Sequence, residues 1–286
     1  MTEYVVYDVF TENAFGGNPL AVVLNAAGLP EVSLQKIARE FNFSETTFVY
    51  PPRDAGHDAR VRIFTPMMEI PFAGHPTIGT AIALAELGRV GTEMMLELGV
   101  GPIPVTIDNG LARFVTREPL KTWQGISVNI AASAASLPDD MVRTDRHAPI
   151  IASVGLPFVL VELVDMAALE AATANSDTFH AFKPSWPGST HLDLLVYVRD
   201  GTRINARMFA PLDGIPEDPA TGSAAAALAA FLGQLEGHSE TLTIAQGVEM
   251  GRPSEITAEV IVEDGQPSAV AISGRAVQVM EGRLAL

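Results

Sequence analysis

Arg62-Ile63-Phe64-Thr65-Pro66 is echoed 145 positions later by Arg207-Met208-Phe209-Ala210-Pro211. A short loop follows each copy, and then Gly74-His75-Pro76-Thr77 and Asp218-Pro219-Ala220-Thr221 each open an alanine-rich stretch. Upstream, Gly17-Asn18-Pro19-Leu20-Ala21-Val22-Val23 matches Gly155-Leu156-Pro157-Phe158-Val159-Leu160-Val161, and Thr46-Thr47-Phe48-Val49-Tyr50 matches Asp193-Leu194-Leu195-Val196-Tyr197. The four matches keep one order at offsets between 138 and 147, which makes chance a poor explanation. Two copies are too few for a solenoid. They predict two homologous halves related by a pseudo-twofold axis.

Each half has a similar pattern. Val5–Phe10, Leu20–Leu24, Thr46–Tyr50 and Ala59–Phe64 are β-rich runs, as are Met94–Leu98, Pro102–Ile107 and Ala112–Thr116. Ser33 to Asn42 predicts a helix with Leu34, Ile37, Ala38 and Phe41 on one face. Pro119 to Asp145, rich in Ala, Ser and Asp, is the expected connection, which puts the halves at residues 1–122 and 123–286. Pro76–Leu87 carries one charge, Glu86, and Pro219–Leu232 carries none. A helix apolar nearly all round is a buried one, so one is expected inside each half, with Pro at its first position. Helix N-termini emerging at a cleft would offer unpaired N–H groups to an anion.

Composition narrows the function. The chain has 286 residues, 48% of them hydrophobic and 18% charged, which is a globular balance. Eighteen Lys plus Arg against 34 Asp plus Glu give a net charge of −16, with no basic cluster. Nucleic acid and anionic membranes are therefore not expected partners. Cysteine is absent, which removes disulfides, thiolate metal sites and every Cys nucleophile, and fits a reducing cytoplasmic location. Met1-Thr2-Glu3-Tyr4-Val5-Val6-Tyr7-Asp8 lacks the basic start and apolar stretch of a signal peptide. The longest near-apolar run, Ala224–Gly233, is too short to span a bilayer. There is no P-loop, no G-x-S-x-G, and no G-x-G-x-x-G after a strand. The six histidines, at 57, 75, 147, 180, 191 and 238, show no close ligand spacing. The expected chemistry is metal-free and cofactor-free.

Six motifs then fall in one order. They are Asp8-Val9-Phe10 with Gly17-Asn18-Pro19, Asn42-Phe43-Ser44-Glu45-Thr46-Thr47-Phe48, Arg62–Pro66, Pro71-Phe72-Ala73-Gly74-His75-Pro76-Thr77, Glu217-Asp218-Pro219-Ala220-Thr221-Gly222-Ser223, and Gln246-Gly247-Val248-Glu249-Met250-Gly251-Arg252-Pro253-Ser254. From about residue 4 to the C-terminus the chain resembles the PhzF-like phenazine-biosynthesis isomerase family. The resemblance implies an α+β, diaminopimelate epimerase-like fold: two pseudo-symmetric halves, each a bent β-sheet or barrel around a central helix, with the active site between them. It implies a homodimer, and a last strand around Ala276–Met280 that returns to the first half. It also implies a cofactor-free isomerase moving a proton between carbons of trans-2,3-dihydro-3-hydroxyanthranilate. Glu45 falls on the acid/base, His75, Asp218 and Ser223 on assisting groups, and Gly74 and Gly222 line the pocket. The alternatives are another small amino-acid-like carboxylate, or a non-catalytic binding protein on the same fold. Related racemases use two cysteines, which this chain cannot supply.

The residues support parts of this independently. One carboxylate can take a proton from carbon and return it to a nearby carbon on the same face. Glutamate in water has a pKa near about 4.3, and Phe41, Phe43, Phe48 and Val49 around Glu45 could raise it by desolvation. Taken by itself, Glu45 reads most simply as a solvated residue at a strand start. Asp218 before Pro219 reads as an N-cap with Pro at the first helical position, a role compatible with substrate contact. His75, at a helix N-terminus, is expected neutral. Asn18 is a substrate-binding candidate and also a turn residue. Arg252 could pair with a carboxylate or cap a loop. Trp123 and Trp186 are expected to pack.

Overall fold

The structure is a computed structural model that describes residues 2–182 and 192–286. It divides into two compact units, Met1–Val115 with Ile272–Leu286, and Thr116–Ala271. The first runs β1 (Thr2–Val9), β2 (Asn18–Val23), α1 (Glu31–Phe41), β3 (Glu45–Tyr50), β4 (Ala59–Phe64), β5 (Glu69–Ile70), α2 (Gly74–Glu86), β6 (Glu93–Leu98), β7 (Gly101–Asp108) and β8 (Leu111–Thr116). The second runs β9 (Lys121–Gln124), α3 (Val128–Ala134), β10 (Ile150–Ser153), β11 (Pro157–Glu162), α4 (Met166–Ala171), α5 (Ser176–Ala181), β12 (Leu194–Asp200), β13 (Arg203–Ala210), β14 (Ile215–Asp218), α6 (Gly222–Glu236), β15 (Glu240–Gln246), β16 (Ser254–Glu263) and β17 (Gln266–Gly274). The last strand, β18 (Ala276–Leu284), belongs to the first unit.

Strand pairing repeats between the units. The first unit has the order β18-β1-β2-β3-β4-β6-β7, with β2–β3 and β4–β6 parallel and the rest antiparallel. The second has β9-β10-β11-β12-β13-β15-β16, with β11–β12 and β13–β15 parallel and the rest antiparallel. Parallel neighbours need a crossover. Helices supply it at each one: α1 and α2 in the first unit, α4 with α5 and then α6 in the second. Two-residue turns with both φ positive close the β7–β8 and β16–β17 connections, Asn109-Gly110 at 50° and 78° and Asp264-Gly265 at 51° and 73°.

The two apolar helices fill the cores. Every residue from Gly74 to Leu84 of α2 is buried, against β1, β2, β3 and β18. In α6, Gly222 and Ala224–Gly233 are buried, against β10, β11, β15 and β16. At Gly79 a Cβ would stand 2.5 Å from Val9 Cγ2 and 2.7 Å from Leu20 Cδ2, so glycine sets how closely α2 approaches β1 and β2. Gly79→Ala gains ~1 kcal/mol of helix propensity but overpacks at ~1–3 kcal/mol. Two contacts under 3.0 Å let overpacking win. A lower melting temperature is expected, and an equal or higher one would show that β1 and β2 yield.

The repeated arginine has a structural role in each unit. Arg62 forks onto Glu69, Nε at 2.7 Å and Nη2 at 2.6 Å, and onto Glu31 at 2.7 Å. Arg207 forks onto Glu217 at 2.8 Å twice, and its Nη1 donates to the carbonyls of Leu169, Glu170 and Ala172 at the end of α4. The Arg62 site is partly solvated, since Glu31 is 71% exposed, whereas the Arg207 and Glu217 side chains are 7% and 17% exposed. Removing one partner of a buried pair strands the other and costs about 3 kcal/mol. Solvated pairs are worth about 1 kcal/mol or less. Chemical denaturation of Arg207→Ala and Arg62→Ala should show that difference, and equal losses would contradict the burial argument.

Several expectations change. Pro119–Asp145 is not a bare connection. It contains β9 and α3, and Ile126, Ala131, Ala132, Ala134 and Ala135 are core residues of the second unit, where small side chains allow close packing. The unit boundary falls at Val115/Thr116 and not at 122/123, because β9 pairs with β10. The predicted helix Ser33–Asn42 is observed as α1, which begins at Glu31 and closes on Asn42 at φ 54°. Pro76 is the third residue of α2, not the first. Pro219 and Asp218 precede α6, whose N-cap is Thr221, so Asp218 is not the cap. Trp123 packs half-buried against the second unit's core, while Trp186 and His191 lie outside the described residues.

Candidate active site

In the first unit, β2, β3 and α2 bring four of the singled-out residues together. Glu45 opens β3 beside Leu20 of its parallel neighbour β2. Asn18 and Pro19 begin β2, and Asn18 is fully buried. His75 is the second residue of α2, after Gly74, and its side chain is 3% exposed. It makes a backbone hydrogen bond to Pro19. Proline has no N–H, so the imidazole donates and the Pro19 carbonyl accepts. His75 Nε2 is buried without a hydrogen-bond partner, which leaves Nδ1 as the donor. Nδ1 also lies 3.3 Å from Glu45 Oε2. Burial pushes the imidazole down to about 3, against the smaller upward pull of the Pro19 carbonyl, so His75 is neutral at pH 7. It therefore presents a buried Nε2 lone pair able to accept a hydrogen bond.

In the second unit, Asp218 ends β14 and is 7% exposed. Its Oδ2 accepts from Thr221 Oγ1 at 2.5 Å. The Gln246 amide spans the turn: Nε2 donates to the Asp218 carbonyl at 2.7 Å and to Thr221 Oγ1 at 3.1 Å, while Oε1 accepts from the Thr221 N–H at 3.2 Å. Gly247, at φ 73°, keeps this approach possible, since a Cβ there would meet the Pro219 carbonyl at 2.7 Å. Gly222 and Ser223 open α6, in the places Gly74 and His75 hold in α2. Ser223 is half-buried. Thr221 and Gln246 were not singled out in the sequence, although both lie inside quoted motifs. Arg252 closes its loop through a backbone N–H to the Gly247 carbonyl at 3.0 Å.

One group among the described residues has the spacing to hold a metal ion: Glu236, His238 and Glu240, with ligand atoms within 4.8 Å of one another. Arg199 already occupies it, Nη2 lying 3.1 Å from Glu236 and 2.9 Å from Glu240. A guanidinium there opposes a second cation. No helix among the described residues is long and apolar enough to cross a membrane.

The phenazine biosynthesis-like family model, PhzC-PhzF, matches residues 7–282. The chain belongs to the PhzC-PhzF family. It is 36% identical over 298 residues to the trans-2,3-dihydro-3-hydroxyanthranilate isomerase of Pseudomonas aeruginosa, covering 99% of each chain. It is 37% identical over 295 residues to an uncharacterised isomerase of Mesorhizobium japonicum, covering 98% of each. Among solved structures, the Bacillus anthracis phenazine biosynthesis protein of the PhzF family superposes with a TM-score of 0.86 at 26% identity, over 100% of this chain and 99% of that one. A hydroxyproline epimerase from Agrobacterium vitis shares the fold alone, with a TM-score of 0.66 at 13% identity, over 99% of this chain and 90% of that one. The PhzC-PhzF chain is thus an isomerase with an α+β, diaminopimelate epimerase-like fold.

Proposed function

We propose that the enzyme moves a proton between two carbons of a small cyclic carboxylate, trans-2,3-dihydro-3-hydroxyanthranilate, with Glu45 as the acid/base. The observation that carries this reading is the pairing of Glu45 with a buried, neutral His75 at the start of α2. As carboxylate, Glu45 takes the proton from one ring carbon; as carboxylic acid, it returns it to another carbon on the same face. The electron pair left behind spreads over the unsaturated ring until reprotonation. His75 Nε2 accepts a hydrogen bond from a substrate hydroxyl or amino group and holds the ring against Glu45. N–H groups in the first turn of a helix favour negative charge, so Gly74 at the start of α2 is the anion-binding position in the first unit and Gly222 at the start of α6 its counterpart in the second. Asn18 lines the pocket beside Glu45, and Asp218 and Ser223 are the substrate-orienting candidates of the second unit. No metal or organic cofactor enters the scheme. The functional unit in this reading is a cytoplasmic homodimer, and sedimentation of a single monomeric species would overturn that part.

The experiment is a proton NMR and absorbance time course with the purified protein and trans-2,3-dihydro-3-hydroxyanthranilate in D₂O. Enzyme-dependent loss of substrate supports the assignment. Deuterium content at the newly protonated carbon separates direct transfer from exchange with solvent. A folded protein that leaves the substrate unchanged would remove this substrate and turn the search to other small carboxylates.

A further inference from the structure

A groove of about 880 Å³ opens on the first unit over β4, β5 and β6, lined by Arg53, His57, Arg60, Arg62, Glu69 and Glu97 among others. Tyr50, which pairs with Arg60 of that lining, lies five residues from Glu45 along β3, ~17 Å at the usual rise of a strand.

The charges in the groove are unevenly satisfied. Tyr50, Arg60 and Glu97 stand opposite one another across β3, β4 and β6. In that register Glu97 is the natural partner of Arg60. Its carboxylate is instead taken by the backbone N–H groups of Arg53 and Asp54, at 3.0 and 2.8 Å, and by His57 Nδ1 at 2.9 Å. Those bonds, led by the Asp54 and Arg53 N–H groups, hold Glu97 down to about 2, a fully committed carboxylate. Arg62 is likewise spent on Glu31 and Glu69. Arg60 and Arg53 have no ion pair among the described residues. The Arg60 guanidinium lies over the Tyr50 ring at 4.4 Å, and its Nε is buried without a hydrogen-bond partner. A buried donor left unmatched costs free energy that an acceptor would recover. Stacking fixes the plane of the guanidinium, so little freedom is lost when an oxyanion docks on it.

We propose that this groove is a second ligand site, which takes a small molecule bearing an oxyanion, carboxylate or phosphate, on the guanidinium groups of Arg60 and Arg53. Guanidinium matches both oxyanions through two parallel N–H bonds. The chain's net charge of −16 repels anions in general, so saturable binding must come from a local site.

The test titrates the full chain, labelled with ¹⁵N-arginine, with sodium phosphate in one arm and sodium malonate in the other, chloride keeping ionic strength constant. A saturable shift of the Arg60 Nε resonance with a midpoint in the low-millimolar range is expected in at least one arm, and which arm identifies the oxyanion. By calorimetry, Arg60→Gln should weaken binding about 10-fold and Arg53→Gln about 3-fold. The Arg53 variant, at the groove rim, keeps the test decisive if Arg60→Gln unfolds. No saturable shift in either arm, or unchanged affinity in the variants, would overturn the proposal.

Discussion

Glu45→Gln is expected to lower turnover of trans-2,3-dihydro-3-hydroxyanthranilate by ~10²–10⁴-fold, the usual contribution of a positioned acid/base. Glutamine keeps the size of the side chain and can occupy the same place 3.3 Å from His75 Nδ1, but it cannot take a proton from carbon at neutral pH. Glu45 is the first residue of β3 with a side chain 12% exposed, so the substitution should leave the melting temperature nearly unchanged. Glu45→Asp separates chemistry from position. It retains a carboxylate but withdraws it by one methylene, and a misplacement of ~1 Å can cost about 10²-fold. The order wild type, then Asp, then Gln is therefore expected in kcat, with substrate binding changed less. Retention of full activity by the Gln variant would remove Glu45 from the proton path. Inactivity of the wild type itself would instead refute the substrate, and the two failures are distinct.

The architecture was legible because its repeat is made of local signals. Arg62 and Arg207 recur because each forks onto a glutamate following in the next short strand, Glu69 or Glu217. The two central helices show as charge-poor stretches because they are buried on every side. What could not be read locally were contacts between residues distant in sequence. Asp218-Pro219 has the form of a helix cap, yet the Asp218 carboxylate is taken by Thr221 and its carbonyl by Gln246, so the helix starts later, at Gly222. Nothing around Gln246 announces that partnership. Likewise, Ala131, Ala132 and Ala134 look like linker residues until the strands they face are in place. His75 could be expected neutral from its place on α2, but its donor nitrogen follows only from the approach of Pro19, 56 positions earlier.

That same histidine should give the protein a distinctive response to acid. The His75 imidazole moves from an ordinary 6.5 to about 3 on folding, chiefly by burial. Between those values the unfolded chain binds a proton that the native state refuses, so stability falls as pH drops from 6.5 towards 3. The whole interval corresponds to about 5 kcal/mol, at about 1.4 kcal/mol per unit. Carboxylates elsewhere titrate in part of this range, so wild type must be compared with His75→Gln, which keeps a hydrogen-bonding side chain and loses the titration. Urea denaturation at pH 7 and pH 4.5 should show the wild type's advantage over the variant shrinking by about 2–3 kcal/mol. Glu45 Oε2, 3.3 Å from Nδ1, opposes this by favouring imidazolium. Burial prevails because Nδ1–H is already committed to the Pro19 carbonyl, while a second proton would have to sit on Nε2, where no acceptor is available. Had the carboxylate prevailed, the wild type's advantage would grow on acidification. A growing or constant difference would therefore show that His75 is charged or indifferent, and with it the neutral hydrogen-bond acceptor assigned to His75 beside Glu45 would be lost.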